Sequence, residues 1–408
     1  MQADVVRILA VSNLYPRPDD QQRGLFNAQQ FEALAELGVL TGGHAQAGPA
    51  SVKVLCLVPE WRWWRWEAIR RWEDPFSGRL AACYLPTFYV PVLGRNFSWR
   101  TYCQALELAA PRFMACDAVL AAWLYPDAVA AACLAARWGK PLWIKVHGTD
   151  RFHLHHPRRR TEILKACAQA RAVVCVSASV RADVCRAGVN PEKTHVVPNG
   201  VDTRRFRYRS PEEARRELGA NGIAARRMVL YVANLVRIKG PDIMLEAWHR
   251  LAAEGAACEG WRLMILGDGP LRRKLEQRAR CWGLARSVVF LGSRPHAEVA
   301  LWMNVADCLC LTSRSEGMPN VILEALASGL PVVATRAGAA GELLEGEEAS
   351  RLVEKSGGDV AERVAQAVKE LLAQQIDRQA LAARHARRLS WEQSARRLWD
   401  LLLAGMGM

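Results

Sequence analysis

An α/β chain with two doubly wound parallel sheets is the fold class this sequence predicts, and three observations carry it. Buried-strand runs alternate with helix-period stretches from residue 5 to residue 197 and again from residue 228 onward. Between the two series, Pro198, Asn199, Gly200, Val201 and Asp202 make a turn that no strand or helix can run through. The stretch 307–335, DCLCLTSRSEGMPNVILEALASGLPVVAT, reads as strand, loop, helix, strand. Two parallel strands joined by a helix put the helix N-terminus at the carboxyl end of the sheet, where α/β proteins keep their ligands.

Composition sets the bounds. A chain of 408 residues with 51% hydrophobic content is long enough for large cores and corresponds to about two to three average domains. Its 55 basic against 41 acidic residues leave a net charge of +14, which favours nucleotide phosphates, nucleic acid or an anionic membrane face without choosing among them. The 12 cysteines lie scattered in apolar runs with no C-x-x-C pair, the usage of small core hydrophobes in a cytosolic protein rather than disulfides or zinc ligands. Residues 1–11 lack the basic start and long apolar core of a signal peptide. The apolar stretch 118–136 contains Pro126 and Asp127 and reads as a strand followed by a helix, not a membrane span.

The first half opens with a strand over 5–11, a polar loop and a helix over about 26–37. In that loop Gly24 allows the backbone to approach a phosphate. After a strand over 52–58, Trp61, Trp63, Trp64, Trp66 and Trp72 interleave with Arg62, Arg65, Arg70 and Arg71. Indole favours a membrane interface and arginine the anionic headgroups, so a peripheral docking patch is one reading. Tryptophan packed into a loop-rich core, with arginine stacked on it, is the other. Residues 84–96, with Pro86 and Pro91, read as an irregular aromatic segment. Regular alternation follows: helix 98–115, strand 118–123, helix 127–138, strand 141–146, helix 158–170, strand 172–177, helix 178–187 and strand 194–197. His147, Gly148, Thr149 and Asp150 stand at the carboxyl end of the 141–146 strand, and His153, His155 and His156 read as a solvated basic loop, not a metal site.

In the second half a basic helix over 211–218 precedes a strand over 228–233, the loop Asn234–Gly240 and a helix opened by Pro241. A lysine just ahead of a helix N-terminus, Lys239, adds full positive charge where the dipole already favours phosphate. A strand over 262–266 ends in Gly267, Asp268, Gly269 and Pro270 before a helix over 271–282. The strand 288–291 leads to Gly292, Ser293, Arg294 and Pro295. Later elements are a strand near 352–353, a helix over 360–374 and an amphipathic helix over about 391–403.

The unit 307–335 carries the chemistry. Pro319 stands where a first helical residue belongs, and the helix to 328 stops at Gly329. The N–H groups of Asn320, Val321 and Ile322 are expected to point outward at an anion, for which the helix dipole adds about 0.3–1 kcal/mol. Glu316 and Glu324, with seven residues between them, flank that position. Carboxylates repel phosphate, so they serve hydroxyls instead: a sugar nucleotide offers ribose to Glu324 and the transferred sugar to Glu316.

Glu316, Gly317, Pro319, Asn320 and Glu324, followed by EALASGLPVVAT, resemble the signature of the retaining family 4 glycosyltransferases of the GT-B fold. The resemblance implies two Rossmann-like domains facing each other across a cleft. They would be an acceptor-side domain over 1–198, to which a C-terminal helix over 386–408 crosses back, and a nucleotide-sugar domain over 199–385, with a hinge at 198–202. It places His147 on the donor sugar, Gly24 with Arg23 across from the diphosphate, and Lys239 on the diphosphate. The family's arginine five residues before the lysine is Asn234 here, and Arg237 can reach into the gap. Gly267 and Gly269 would pack against nucleoside, Gly292–Pro295 with Arg294 would seat the base, and Gly317, Met318, Pro319, Asn320, Val321 and Ile322 would hold the donor. No carboxylate pair is placed for a double displacement, so retention implies front-face attack.

The function expected is a metal-independent transfer of a sugar from a UDP- or GDP-linked donor to a lipid-linked or oligosaccharide acceptor, in cell-surface polysaccharide or glycolipid assembly. No cofactor, metal or nucleic acid is expected, and the location expected is cytoplasmic, peripheral on the inner face of the plasma membrane. The rivals are a sugar-nucleotide epimerase of the same fold and a non-catalytic basic protein that binds membrane or nucleic acid through the Trp/Arg segment.

Overall fold

The computed structural model describes every residue except 1–4, 41–49, 76–79, 90–93, 95, 220–224, 256–259 and 408. It divides into two compact units, residues 1–200 with 391–408, and residues 201–390. In the first unit β1 (Val6–Ser12), β2 (Ala50–Pro59), β3 (Ala81–Thr87), β4 (Ala118–Ala121), β5 (Leu142–Val146), β6 (Ala172–Cys175) and β7 (Thr194–Val196) form one sheet of order β3-β2-β1-β4-β5-β6-β7. In the second, β8 (Arg227–Val232), β9 (Trp261–Leu266), β10 (Val288–Gly292), β11 (Cys308–Leu311), β12 (Val332–Thr335) and β13 (Ser350–Val353) form a sheet of order β10-β9-β8-β11-β12-β13. Every pairing within the two sheets is parallel. Both are Rossmann-like: strand order reverses beside the first strand of each unit, which opens a crevice at the carboxyl ends of β1 and β4 and of β8 and β11.

Period-two alternation builds the cores. In β11, Leu309 and Leu311 enter one apolar cluster while Cys308 and Cys310 enter the other, so these buried free thiols act as small hydrophobes. The first unit's chain ends in the helix Trp391–Met406, which packs on the helix Leu25–Leu40. There Gln30 Nε2 donates to Ser394 Oγ at 2.9 Å.

Several elements depart from the sequence reading. The region expected to be irregular from residue 84 begins as β3, an edge strand beside β2, and Pro86 sits within it. An edge position tolerates the missing N–H, which is why proline misled; Pro91 lies outside the described residues. The helix from Ser98 ends at Ala109, and the one expected from residue 127 starts at Val129, after a kinked turn that contains a cis Tyr125–Pro126 bond. The helices His296–Val305, Ala340–Leu344 and Arg378–Arg388 were not anticipated. Residues 386–390 stay with the second unit, because Arg378–Arg388 is a separate helix and the return to the first unit begins at Trp391 rather than residue 386.

Candidate active site

At the crevice of the second unit the loops after β8 and β11 meet. Lys239 ends a 3-10 turn, Arg237–Lys239, and Gly240 follows with φ 65°. A Cβ on Gly240 would lie 2.0 Å from the Thr312 carbonyl oxygen, so only glycine lets the two loops come this close. The contact places Lys239 Nζ 2.7 and 2.8 Å from the two carboxylate oxygens of Glu316. Ser313 Oγ donates to Glu316 Oε1 at 2.6 Å, and Glu316 is buried. A second clamp stands beside it: Arg314 donates two parallel bonds to Asp242, at 2.8 and 2.7 Å, and another to the Arg237 carbonyl at 2.8 Å. The Arg314 guanidinium holds the Asp242 carboxyl below the usual range against the effect of burial.

The helix behind this loop is Asn320–Ala327, so Pro319 caps it from outside and is not its first residue. The Pro319 carbonyl already accepts the Ile322 N–H at 2.9 Å. That removes Ile322 from the expected set of outward donors, because an extra turn of hydrogen bonding tightens the helix start. Glu324 is half-buried on this helix; burial pushes its carboxyl up to about 7, and Arg205 pulls the other way. Thr335 Oγ1 donates to the Ser313 carbonyl at 2.6 Å and fixes the loop from β12. Gly317 and Pro319 are buried, and Met318 is half-buried.

The other loops at this end are held by backbone. Leu235 N–H donates to the Asp268 carbonyl at 2.8 Å, and Leu271 N–H to the Leu235 carbonyl at 3.1 Å. Gly267 (φ 132°) and Gly269 (φ 152°) lie against this loop, where Cβ atoms would stand 2.0 Å from the Ala233 oxygen and 2.8 Å from the Leu235 oxygen. Asn234 and Arg237 are exposed, and Arg294 Nε sits 3.4 Å from Glu298.

In the first unit His147 is buried, and neither ring nitrogen has a hydrogen-bond partner among the described residues. The ring lies 4.6 Å from Phe26 and stacks 6.3 Å from Trp123. Burial, with Lys145 adding to it, drives its pKa well below 6.5, so the imidazole is neutral. Asp150 shapes the loop: it accepts the Gly148 N–H at 2.7 Å and the His147 N–H at 3.1 Å. Gly24 has φ 60° and is pressed against the Leu14 backbone, where a Cβ would stand 2.3 Å away, while Arg23 donates to the Asn13 carbonyl at 3.0 Å. Beneath the loop, Lys145 is fully buried between Gln30 and Asn199, and burial lowers its pKa to about 7.

Two family models match the chain: Glycosyltransferase Family 4 over residues 68–205 and Glycosyl transferases group 1 over residues 226–374. The chain belongs to the family 4 glycosyltransferases. Among its relatives, the putative teichuronic acid biosynthesis glycosyltransferase TuaC of Bacillus subtilis is 26% identical over 88% of each chain. A GDP-mannose-dependent phosphatidylinositol monomannoside mannosyltransferase of Mycobacterium tuberculosis is 33% identical over 57% of this chain and 59% of its own. The chain spans about half the length of other curated relatives that it matches, as with the D-inositol 3-phosphate glycosyltransferase of Corynebacterium urealyticum, 35% identical over 50% of each. In fold it is similar to Anabaena HepE in complex with UDP, with TM-score 0.72, 19% identity and coverage of 98% and 100%.

In this glycosyltransferase, then, the second unit brings the loop that carries Lys239 against the loop that carries Glu316, Gly317 and Pro319. It leaves Asn234 and Arg237 at the exposed rim. The sequence reading missed Ser313 and Arg314, which hold the loop, and Arg205, whose charge pulls the Glu324 pKa down against burial. Only the loop position of Ser313 and Arg314 hinted at them; nothing in the spacing of Arg205 did.

Proposed function

We propose that this glycosyltransferase moves a sugar from a UDP- or GDP-linked donor to an acceptor hydroxyl, with retention at the anomeric carbon and without a metal ion. The observation that carries this reading is Lys239, seated just ahead of the helix Pro241–Ala253 and gripping Glu316 at the point where strand order reverses. Transfer breaks the bond from the anomeric carbon to the diphosphate oxygen, and the electron pair leaves with the nucleotide. Lys239, with Arg237 at the rim and the nearby helix N-termini, meets that charge. The acceptor hydroxyl forms the new bond and yields its proton to the departing phosphate. Glu316 is occupied by a lysine and a serine, which suits a carboxylate that orients hydroxyls better than one that attacks carbon. His147, buried and neutral, suits a hydrogen bond to a sugar hydroxyl. Glu324 would take the ribose.

The acceptor in this reading is lipid-linked or an oligosaccharide, in surface polysaccharide or glycolipid assembly on the cytoplasmic face, with peripheral contact through the 61–72 segment. The relatives named for teichuronic acid and for phosphatidylinositol monomannoside support that class. The test is a thermal-shift screen of UDP-, GDP- and ADP-sugars on wild type and Glu324→Gln, followed by NMR of the product anomer with and without chelator. Stabilisation by one nucleotide class that is lost in the variant supports the reading. An epimerised nucleotide sugar formed without acceptor, or an inverted product, overturns it.

A further inference from the structure

The first unit carries an apolar groove that the donor chemistry does not use. Among the described residues the large hydrophobic side chains left exposed all belong to this unit, the most exposed being Leu108 at 82% and Trp63 at 74%. The helix Ser98–Ala109 buries Tyr102 and Leu106 and turns Thr101, Ala105 and Leu108 to another stripe. That stripe faces the edge strand β3, and the two enclose a groove of about 470 Å³, of a size that takes a small molecule or a single hydrocarbon chain. Trp66, Leu85 and Phe88 add apolar walls, and the charged side chains that line it, Arg70 and Arg112, are both cations. Beside it Trp61, Trp63 and Trp64 pack edge to face, at 5.9 and 6.1 Å, and stay exposed. A hydrophobic slot with only positive charge at its wall, next to outward-facing indoles, is complementary to an anionic amphiphile at a water–lipid boundary.

We propose that this groove binds one hydrocarbon chain of an anionic membrane lipid, with the lipid phosphate held by Arg70 and Arg112 and the three indoles in the headgroup layer. The inference deepens the peripheral contact proposed above by naming a chain-binding slot and the headgroup charge, and it does not depend on the donor site.

The test titrates the full chain calorimetrically with monomeric decyl phosphate, decyltrimethylammonium and inorganic phosphate, then floats it with phosphatidylglycerol or phosphatidylcholine vesicles. Decyl phosphate should bind at one site while the other two do not, and only phosphatidylglycerol vesicles should carry the protein upward. Arg112→Glu should weaken decyl phosphate by about tenfold or more. Ala105→Trp, which fills the slot, should abolish binding; Leu108→Asp, at an exposed position that threatens no core, should weaken it with the melting temperature unchanged. Equal binding of the two charged amphiphiles, variants that bind as wild type does, or a chain that ignores phosphatidylglycerol vesicles would overturn the proposal. The nucleotide-sugar thermal shift is read separately, so failure of the donor reading and failure of this one remain distinguishable.

Discussion

Lys239 and Glu316 are bound to each other through both carboxylate oxygens, at 2.7 and 2.8 Å, across the loops that follow two adjacent strands. In the proposed reaction Lys239 serves a phosphate and Glu316 a sugar hydroxyl. The pair therefore holds both groups in position, and donor binding exchanges the lysine's partner without moving it far. The geometry is preset before substrate arrives, which is the condition for electrostatic stabilisation of a leaving group.

Removing either partner should cost more than removing both. Lys239→Met leaves the Glu316 carboxylate buried beside Ser313, and Glu316→Gln leaves the lysine without its counter-charge. Urea denaturation of the two single variants and the double is expected to give a coupling of about 0.5–3 kcal/mol, while each single variant loses about a hundredfold or more in turnover. Additive stability losses would show that the pair does not hold the loops.

Glu324 should make stability depend on pH. Its folded pKa is raised from about 4.5 to about 7 by burial, so the folded chain keeps a proton that the unfolded chain has released. Its contribution to stability therefore falls as pH rises from 4.5 through 7 and is flat above. Glu324→Gln should remove that slope, which melting temperatures at pH 5 and pH 8 would reveal.

Lys145 has the opposite sign. Its folded pKa lies near 7 against an ordinary 10.5, so the unfolded chain binds the extra proton between those values and stability rises with pH across that window. Lys145→Met loses the hydrogen bonds to Gln30 and Asn199. Relative to wild type it should fare better at pH 6 than at pH 9, as read from the unfolding midpoint of the first unit.

Two glycines of positive φ separate conformation from crowding. Gly139 has φ 62° and open space around its Cβ position, whereas Gly267 has φ 132° and the Ala233 oxygen 2.0 Å from that position. Gly139→Ala should cost about 1–2 kcal/mol. Gly267→Ala should cost more than about 3 kcal/mol and displace the loop that carries Asn234. Circular dichroism melts of the two variants are the check.

Much of this was legible in advance, for identifiable reasons. Strands buried on both faces are continuous apolar runs, so β1, β5, β8 and β12 stood out. Loop glycines and prolines marked the site, because a positive φ or a blocked N–H leaves a residue-level trace. β3 was hidden by Pro86, since its edge location was not visible, and the helix His296–Val305 is buried on nearly every side and has no amphipathic period to detect.

By itself the sequence determined the alternation of strand and helix, the two-part organisation, and which glycines, carboxylates and cations stand in the loops after the strands of the second sheet. These follow from local periodicity and from residue types whose chemistry does not depend on neighbours. Only the tertiary structure decided that Lys239 pairs with Glu316, that Arg314 staples Asp242 to the same loop, and that Lys145 is buried against Gln30 with its pKa lowered to about 7. Each of these depends on strand order, which brings residues 77, 72 and 115 positions apart within hydrogen-bonding reach and then removes the water that would otherwise screen them.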